Sequence, residues 1–348
     1  MREPGKLKVA VVGASGYVGG ELLRLCLSHP RFEVAAAVAD SQAGQPIASL
    51  SPNLKPGVGE RRLEGLALAE LAGLDVVFLA LPHAVSAAIV PELIGRVGHI
   101  VDLSAAFRLK DPAAYPLWYG FDHPAPELLG RAVYGMPELD RAKLAGAELV
   151  AAAGCYVTAA SLGLAPLVKA GLAQPGGIIV DAASGVSGAG RTTSTETQFC
   201  TVDGGLSAYA IASHRHTPEM EQAIGASGLL FTPHLAPMSR GILATCYAHP
   251  TGAVVGESGS EVLADALRAA YAEEPFVVVS ERPPSTKATV GSNAVHVFAA
   301  FDRRSSKVIV VSALDNLVKG AAGQAVQCAN AAVGIGEEIG LSALGLYP

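Results

Sequence analysis

Charge is what this sequence has least of. Only 16% of its 348 residues are Asp, Glu, Lys or Arg, and the net charge is −6. No basic footprint is present, which argues against nucleic acid as a partner. Its five cysteines, at 26, 155, 200, 246 and 328, contain no Cys-x-x-Cys pair. An odd count at wide spacing excludes a disulfide framework or a zinc site and reads as reduced thiols of a cytoplasmic protein. No secretory signal is seen in Met1 to Lys6, and there are no internal repeats or low-complexity tracts. Leu149 to Val168 carries no charge, but Gly154, Ser161, Gly163 and Pro166 interrupt it and no basic flank anchors it. It reads as a buried strand-turn-helix, not a bilayer span, so no membrane is expected. What is present is apolar: half the residues, enough for a sizeable core, in a chain long enough for about two domains.

The first half alternates strand and helix. Lys8 to Val12 predicts a strand, Gly13-Ala14-Ser15-Gly16-Tyr17-Val18-Gly19 a tight turn, and Gly20 to Ser28 a helix. Glycines there let backbone approach a pyrophosphate at the helix start, so a dinucleotide is expected. A second strand, Phe32 to Ala39, ends at Asp40-Ser41. An acid at this point bonds ribose hydroxyls and favours NAD, whereas Ser41 and Gln42 can donate to a 2′-phosphate, so the choice stays open. Residues 46–62 read as loop. Leu74 to Leu81 is a fully apolar strand closed by Pro82-His83, Ser86 to Leu93 a helix, and His99 to Leu103 a strand. Arg108 leaves that last strand at its carboxyl end, where α/β sheets bind ligands, and is a candidate anion clamp. Residues 111–137 read as an irregular insert, 138–145 as a short helix, and 149–153 as the last strand.

The texture then changes. Strands are expected at 177–182, 229–232, 241–249, 276–279, 294–301 and 307–314, with helices only near 218–226 and 257–271. Strands with few helices between them imply a mostly antiparallel sheet. The expected fold is therefore α/β: a Rossmann-type dinucleotide-binding domain over 1–153, completed by the C-terminal helix 316–348, and an α+β catalytic, substrate and dimerisation domain over 154–315.

Gly154-Cys155-Tyr156-Val157-Thr158 joins the strand ending at Ala153 to a helix over 158–170. A thiol at a helix start meets orphan N–H groups and the positive end of the dipole, which favour the thiolate. Ser184 to Arg191 is a small-residue loop, able to form a backbone nest for phosphate or nicotinamide. His214-Arg215-His216-Thr217-Pro218 precedes a helix and suits acid–base work and carboxylate binding. No third and fourth ligands stand at metal-site spacings. Dinucleotide, thiol and histidine together suggest thiolate attack on an activated carbonyl, followed by hydride transfer.

These stretches, with Leu79 to His83, Ser104 to Leu109, Ser239-Arg240-Gly241-Ile242 and Asp315 to Gly320, resemble the N-acetyl-γ-glutamyl-phosphate reductase family, of the aspartate-semialdehyde dehydrogenase superfamily, nearly end to end. The resemblance implies NADPH-dependent reduction of an acyl phosphate to a semialdehyde in arginine biosynthesis, by a homodimer or homotetramer. It implies Cys155 as nucleophile and His216 as acid–base group. It also implies cofactor contacts from Gly13, Ser15, Gly16, Tyr17, Val18, Gly19, Ser41, Pro82, Ser187, Gly188 and Asn316, and substrate contacts from Arg108, Arg191, Tyr209 and His214. Ala106, Val157 and Ala210 depart from the family pattern, which bears on substrate fit and turn rigidity rather than chemistry. A relative that reduces carrier-protein-linked aminoadipyl or glutamyl phosphate in lysine biosynthesis tends to read Gly-Cys-Asn at the thiol. Cys155-Tyr156 and Gly190-Arg191 favour the arginine branch. A non-catalytic dinucleotide-sensing module is the reading from another class; it predicts cofactor binding without thiol alkylation dependent on His216.

Overall fold

The computed structural model describes residues 5–254 and 256–348, so the reading of the first four residues lies outside it. The chain forms two compact units. The first comprises residues up to Ala153 plus Ala321–Leu341; the second comprises Gly154–Gly320 plus Ser342–Pro348.

The first unit is built on six parallel strands: β1 (Leu7–Val12), β2 (Phe32–Val38), β3 (Val76–Leu79), β4 (His99–Asp102), β5 (Val133–Gly135) and β6 (Leu149–Ala152). Their order is β2-β1-β3-β4-β6-β5. Connections run to opposite sides of β1, so the sheet reverses direction between β1 and β3, where such folds bind their ligands. Val9 and Val11 face one core, shared with α1 (Tyr17–Ser28). Ala10 and Val12 face the other, shared with α2 (His83–Leu93). Burial on both faces explains the continuous apolar runs.

Three expectations for this unit are corrected; first, the stretch over 46–62, read as loop, holds the short helices Ile47–Leu50 and Lys55–Val58. The insert over 111–137 holds a helix, Ala114–Tyr119, and the edge strand β5, which three residues among prolines did not signal. The segment over 138–145 is only a turn of helix, Pro137–Asp140, followed by a 3-10 turn.

In the second unit, α3 (Cys155–Lys169) lies against a seven-stranded sheet and is flanked by α4 (Thr217–Ile224) and α5 (Gly259–Ala270). The strands are β7 (Ile179–Gly185), β8 (Ser207–Ala208), β9 (Leu230–Ala236), β10 (Ile242–Ala248), β11 (Val277–Val279), β12 (Val295–Asp302) and β13 (Lys307–Leu314), ordered β11-β12-β13-β10-β7-β9-β8. Four of its six pairings are antiparallel; β7 with β9 and β11 with β12 are parallel. A Cβ on Gly163 would lie 2.6 Å from Val310 Cγ1, so this glycine sets how closely α3 seats on the sheet.

The expected final helix over 316–348 is also corrected. It is α6 (Gly323–Ala332), preceded by a π-helical turn over Val318–Ala322. Residues 342–348 belong to the second unit. α6 buries Gln324, Gln327 and Asn330. Their amide nitrogens donate to the Gly135 carbonyl, the Glu138 and Glu337 carboxylates, and the Ile339 carbonyl, which offsets part of the cost of burying them.

Candidate functional site

The dinucleotide turn of the first unit assigns each glycine a separate duty. Gly13 takes φ +88°, and a Cβ there would meet the Ala80 carbonyl carbon at 2.8 Å. A Cβ on Gly19 would meet Ala14 Cα at 2.8 Å, so Gly19 lets α1 close on the turn. Gly16 has only the Gly13 oxygen nearby, at 3.5 Å, so the backbone there stays uncovered by side chains. Gly16 is the N-cap of α1; no side chain caps this end and no acid stands in the first turn. Tyr17, Val18 and Gly19 form the first turn of this helix, at the end whose dipole favours an anion, and Ser15 lies in the turn before them. The residues present fit a dinucleotide.

Pro82 caps α2, its carbonyl accepting the N–H groups of Val85 and Ser86, both at 3.0 Å. His83 Nδ1 accepts the Ala105 N–H at 3.0 Å, which puts the ring proton on Nε2. Ser41 is exposed in the 3-10 turn Asp40–Gln42 that follows β2. Arg108 is buried and donates to the Leu103 carbonyl at 2.6 Å, so part of its fork stabilises the turn after β4. Beside it the buried Asp102 accepts both Ser104 groups and the Ser86 hydroxyl. Burial pushes the Asp102 carboxyl up, against those bonds and the Arg108 charge.

The second unit gathers the rest. Gly154 is the N-cap of α3, without a side-chain cap, and Thr158 returns both its N–H (2.8 Å) and its hydroxyl (3.1 Å) to the Gly154 carbonyl. The helix therefore starts at Cys155, three residues before the sequence suggested. Cys155 is half-buried. Cys26 and Cys246, by contrast, are sealed in apolar surroundings that push their thiols up to about 12. The Glu219 carboxylate accepts the Gly154 N–H at 2.9 Å and ties α4 to the thiol turn.

Around this turn lies a cluster of rings. Tyr156 meets His214 at 5.7 Å and His216 at 6.1 Å, both edge-on, and the two histidine rings are 4.8 Å apart. Phe231 closes the far side at 5.0 Å from His214. Tyr209 donates to the Tyr156 hydroxyl at 3.1 Å, and Tyr156 donates to the His234 carbonyl at 3.2 Å. Burial pushes Tyr209 up to about 12, with the nearby Cys155 charge adding to it, so both phenols stay protonated donors. His214 Nδ1 accepts the His216 N–H at 3.1 Å. Burial, helped by the Arg215 charge, pulls His214 down to about 4, leaving a neutral ring protonated on Nε2.

The expected backbone nest in the small-residue loop is narrower than the sequence implied. The N–H groups of Gly185, Val186 and Ser187 are spent on the carbonyls of Gly241, Met238 and Ser239, extending the β7–β10 pairing. Side chains hold the loop instead. The buried Asn316 donates from Nδ2 to Ser187 Oγ at 3.0 Å and accepts the Gly241 N–H at 2.8 Å. A Cβ on Gly188 would come within 3.0 Å of Ser184 Oγ. Arg191 is half-buried at the loop's far end.

Sequence reasoning missed Glu219 and gave Tyr156 no role beyond its place in the family motif. Glu219 stands in the first turn of α4, where an acid ordinarily complements the helix dipole, yet here it reaches the N-cap of α3. Its place beside Met220 on the buried side of α4 was the available clue. Among the described residues, no group of three or more His, Cys, Asp or Glu side chains is placed to hold a metal ion, and no helix is long and apolar enough to cross a membrane.

A doubly wound sheet with a glycine turn at its switch point, and a thiol heading a helix on a mixed sheet, define an oxidoreductase of the semialdehyde dehydrogenase class. Residues 8–147 match the family model described as semialdehyde dehydrogenase, NAD binding domain, and residues 155–316 the one described as semialdehyde dehydrogenase, dimerisation domain. The crystal structure of aspartate semialdehyde dehydrogenase II from Vibrio cholerae, complexed with ASA, shares the fold at a TM-score of 0.69 and 15% identity, over 94% of this chain and 98% of that one. The N-acetyl-gamma-glutamyl-phosphate reductase of Dehalococcoides mccartyi is 46% identical over 99% of both chains. That of Acidothermus cellulolyticus is 48% identical over 98% of this chain and 99% of its own. The chain belongs to the N-acetyl-γ-glutamyl-phosphate reductase family.

Proposed function

We propose that the protein reduces N-acetyl-γ-glutamyl phosphate to N-acetylglutamate 5-semialdehyde, releasing phosphate, as a step of arginine biosynthesis. The observation that carries this reading is the half-buried Cys155 at an uncapped helix start, beside the Tyr156–His214–His216 rings. The Cys155 thiolate attacks the acyl carbonyl, the carbon–oxygen bond to phosphate breaks, and a thioester remains on the sulfur. When bound, NADPH would supply the hydride for reducing this thioester. N–H groups at the start of α3 hold the oxyanion of each addition step. His216 protonates the oxyanion left by the reduction and takes the proton back as the carbonyl re-forms and the thiolate departs.

In this reading residues 1–153 bind the dinucleotide through Gly13, Ser15, Gly16, Tyr17, Val18, Gly19, Ser41 and Pro82, and residues 154–315 carry the chemistry. Ser187, Gly188 and Asn316 contact the nicotinamide side. Arg108 and Arg191 meet the substrate's anionic groups. Tyr209 and the neutral His214 meet it by hydrogen bonding rather than charge. The enzyme acts as a homodimer or homotetramer in the cytoplasm.

The test is the reverse reaction. Oxidation of N-acetylglutamate semialdehyde is expected to require both phosphate and NADP⁺, and Cys155→Ser is expected to abolish it. Unchanged turnover in that variant, or oxidation without phosphate, rejects the covalent route.

A further inference from the structure

We propose that Arg62 reads the 2′-phosphate of NADPH, forming with Ser41 an anion subsite beyond the end of β2. This deepens the proposed function and rests only on its dinucleotide part. In a doubly wound sheet the adenosine ribose falls at the carboxyl end of the second strand. That end is Val38, after which the chain turns through Ala39 into Asp40–Gln42. Residues 61–64 come back alongside it. Ala39 N–H donates to the Glu64 carbonyl at 2.9 Å, Gly44 N–H to Leu63 at 2.8 Å, and Leu63 N–H to Gln45 at 2.9 Å.

Two consecutive arginines on this returning segment have different fates. Arg61 donates to the Val34 and Ala35 carbonyls at 2.7 and 2.6 Å and pairs with Glu64 at 3.4 Å, sealing the outer edge of β2. Arg62 is exposed and donates Nη1 to the Gly44 carbonyl at 2.7 Å. That bond holds a guanidinium on the same short loop as the exposed Ser41 hydroxyl. The nearby Glu60 does not consume this charge: its carboxylate is held low first by Lys55, and by Arg62 only last. Asp40 alone would repel a 2′-phosphate. A tethered guanidinium fork supplies the opposite charge and the bidentate geometry that phosphate accepts.

The experiment is calorimetric titration of the full chain with NADPH and with NADH, for the wild type and Arg62→Gln. Glutamine removes the charge but keeps a polar amide, and the NADH arm reads any loosening of the loop that its shorter reach causes. NADPH is expected to bind roughly tenfold to a hundredfold more weakly. NADH is expected to change less than about twofold, and the NADPH advantage of the wild type to shrink with added salt. Equal losses for both dinucleotides, or no loss for either, overturn the assignment. A wild type that binds neither overturns the dinucleotide reading itself and is told apart by the NADH arm.

Discussion

The Glu219 carboxylate accepts the Gly154 N–H at 2.9 Å, joining the helix that follows His216 to the residue just before the thiol. Glu219 is fully buried. Glu219→Ala leaves that N–H without its acceptor, at a cost of about 1–3 kcal/mol in stability. It also loosens the turn that aims Cys155, so iodoacetamide labelling of Cys155 is expected to change along with turnover. Glu219→Gln keeps an acceptor and is expected to restore most of both. Denaturant midpoints and labelling rates read this directly, and an alanine variant that matches the wild type in both would show the tie to be incidental.

His214 sets a pH dependence. Its folded form is pulled down to about 4, below the ordinary value near 6.5, by burial and the Arg215 charge. Between those limits the unfolded chain binds a proton that the folded chain refuses. Stability therefore rises with pH across this window and is lost as pH falls from about 6.5 through about 4. His29, His123 and His296 shift the same way through burial, so the difference between wild type and variant carries the information. His214→Asn is expected to flatten the profile, because asparagine does not titrate yet can accept the N–H two residues on. Urea midpoints measured from pH 4 to pH 8 on both proteins check it, and parallel curves would contradict the assignment.

Much of this was legible in the sequence, for reasons that differ by element. The parallel strands showed as unbroken apolar runs because both faces of the sheet are covered. The glycine turn showed because Gly13 needs a positive φ and Gly19 a close approach, and side chains forbid both. The start of α3 was placed late because Tyr156 and Val157 are strand-favouring residues; burial against the sheet overrides that preference. What no local pattern reveals is a pairing across distance. Glu219 and Gly154 are 65 residues apart, and Asn316 and Ser187 are 129 apart. The family motifs marked such residues as important without saying which bond each one makes.

Gly320 lies in the π-helical turn before α6, and a Cβ on it would stand 2.7 Å from the Cβ of Cys155. No side-chain rotation relieves a clash between two Cβ atoms, so the backbone must move. Gly320→Ala is expected to cost about 1–3 kcal/mol. It is also expected to displace the thiol, lowering kcat more than it raises KM. Steady-state kinetics beside thermal unfolding separates the two effects. A variant with normal kcat would mean that the π turn yields and Cys155 stays put.

Asn316 uses both ends of its amide, accepting from Gly241 and donating to Ser187. At 2% exposure it has no water to fall back on. Asn316→Ala leaves the Gly241 N–H unsatisfied and is expected to cost about 1–3 kcal/mol. Ser187→Ala removes one acceptor at the surface of the same loop and is expected to cost less. If the pair clamps the small-residue loop as one unit and that loop contacts the dinucleotide as proposed, each single variant raises KM for the dinucleotide, and the double variant raises it by less than the product of the two. A double-mutant cycle on that KM, with denaturation run in parallel, decides the point. Strict multiplicativity would show that Asn316 serves the Gly241 turn alone and leaves Ser187 to position itself.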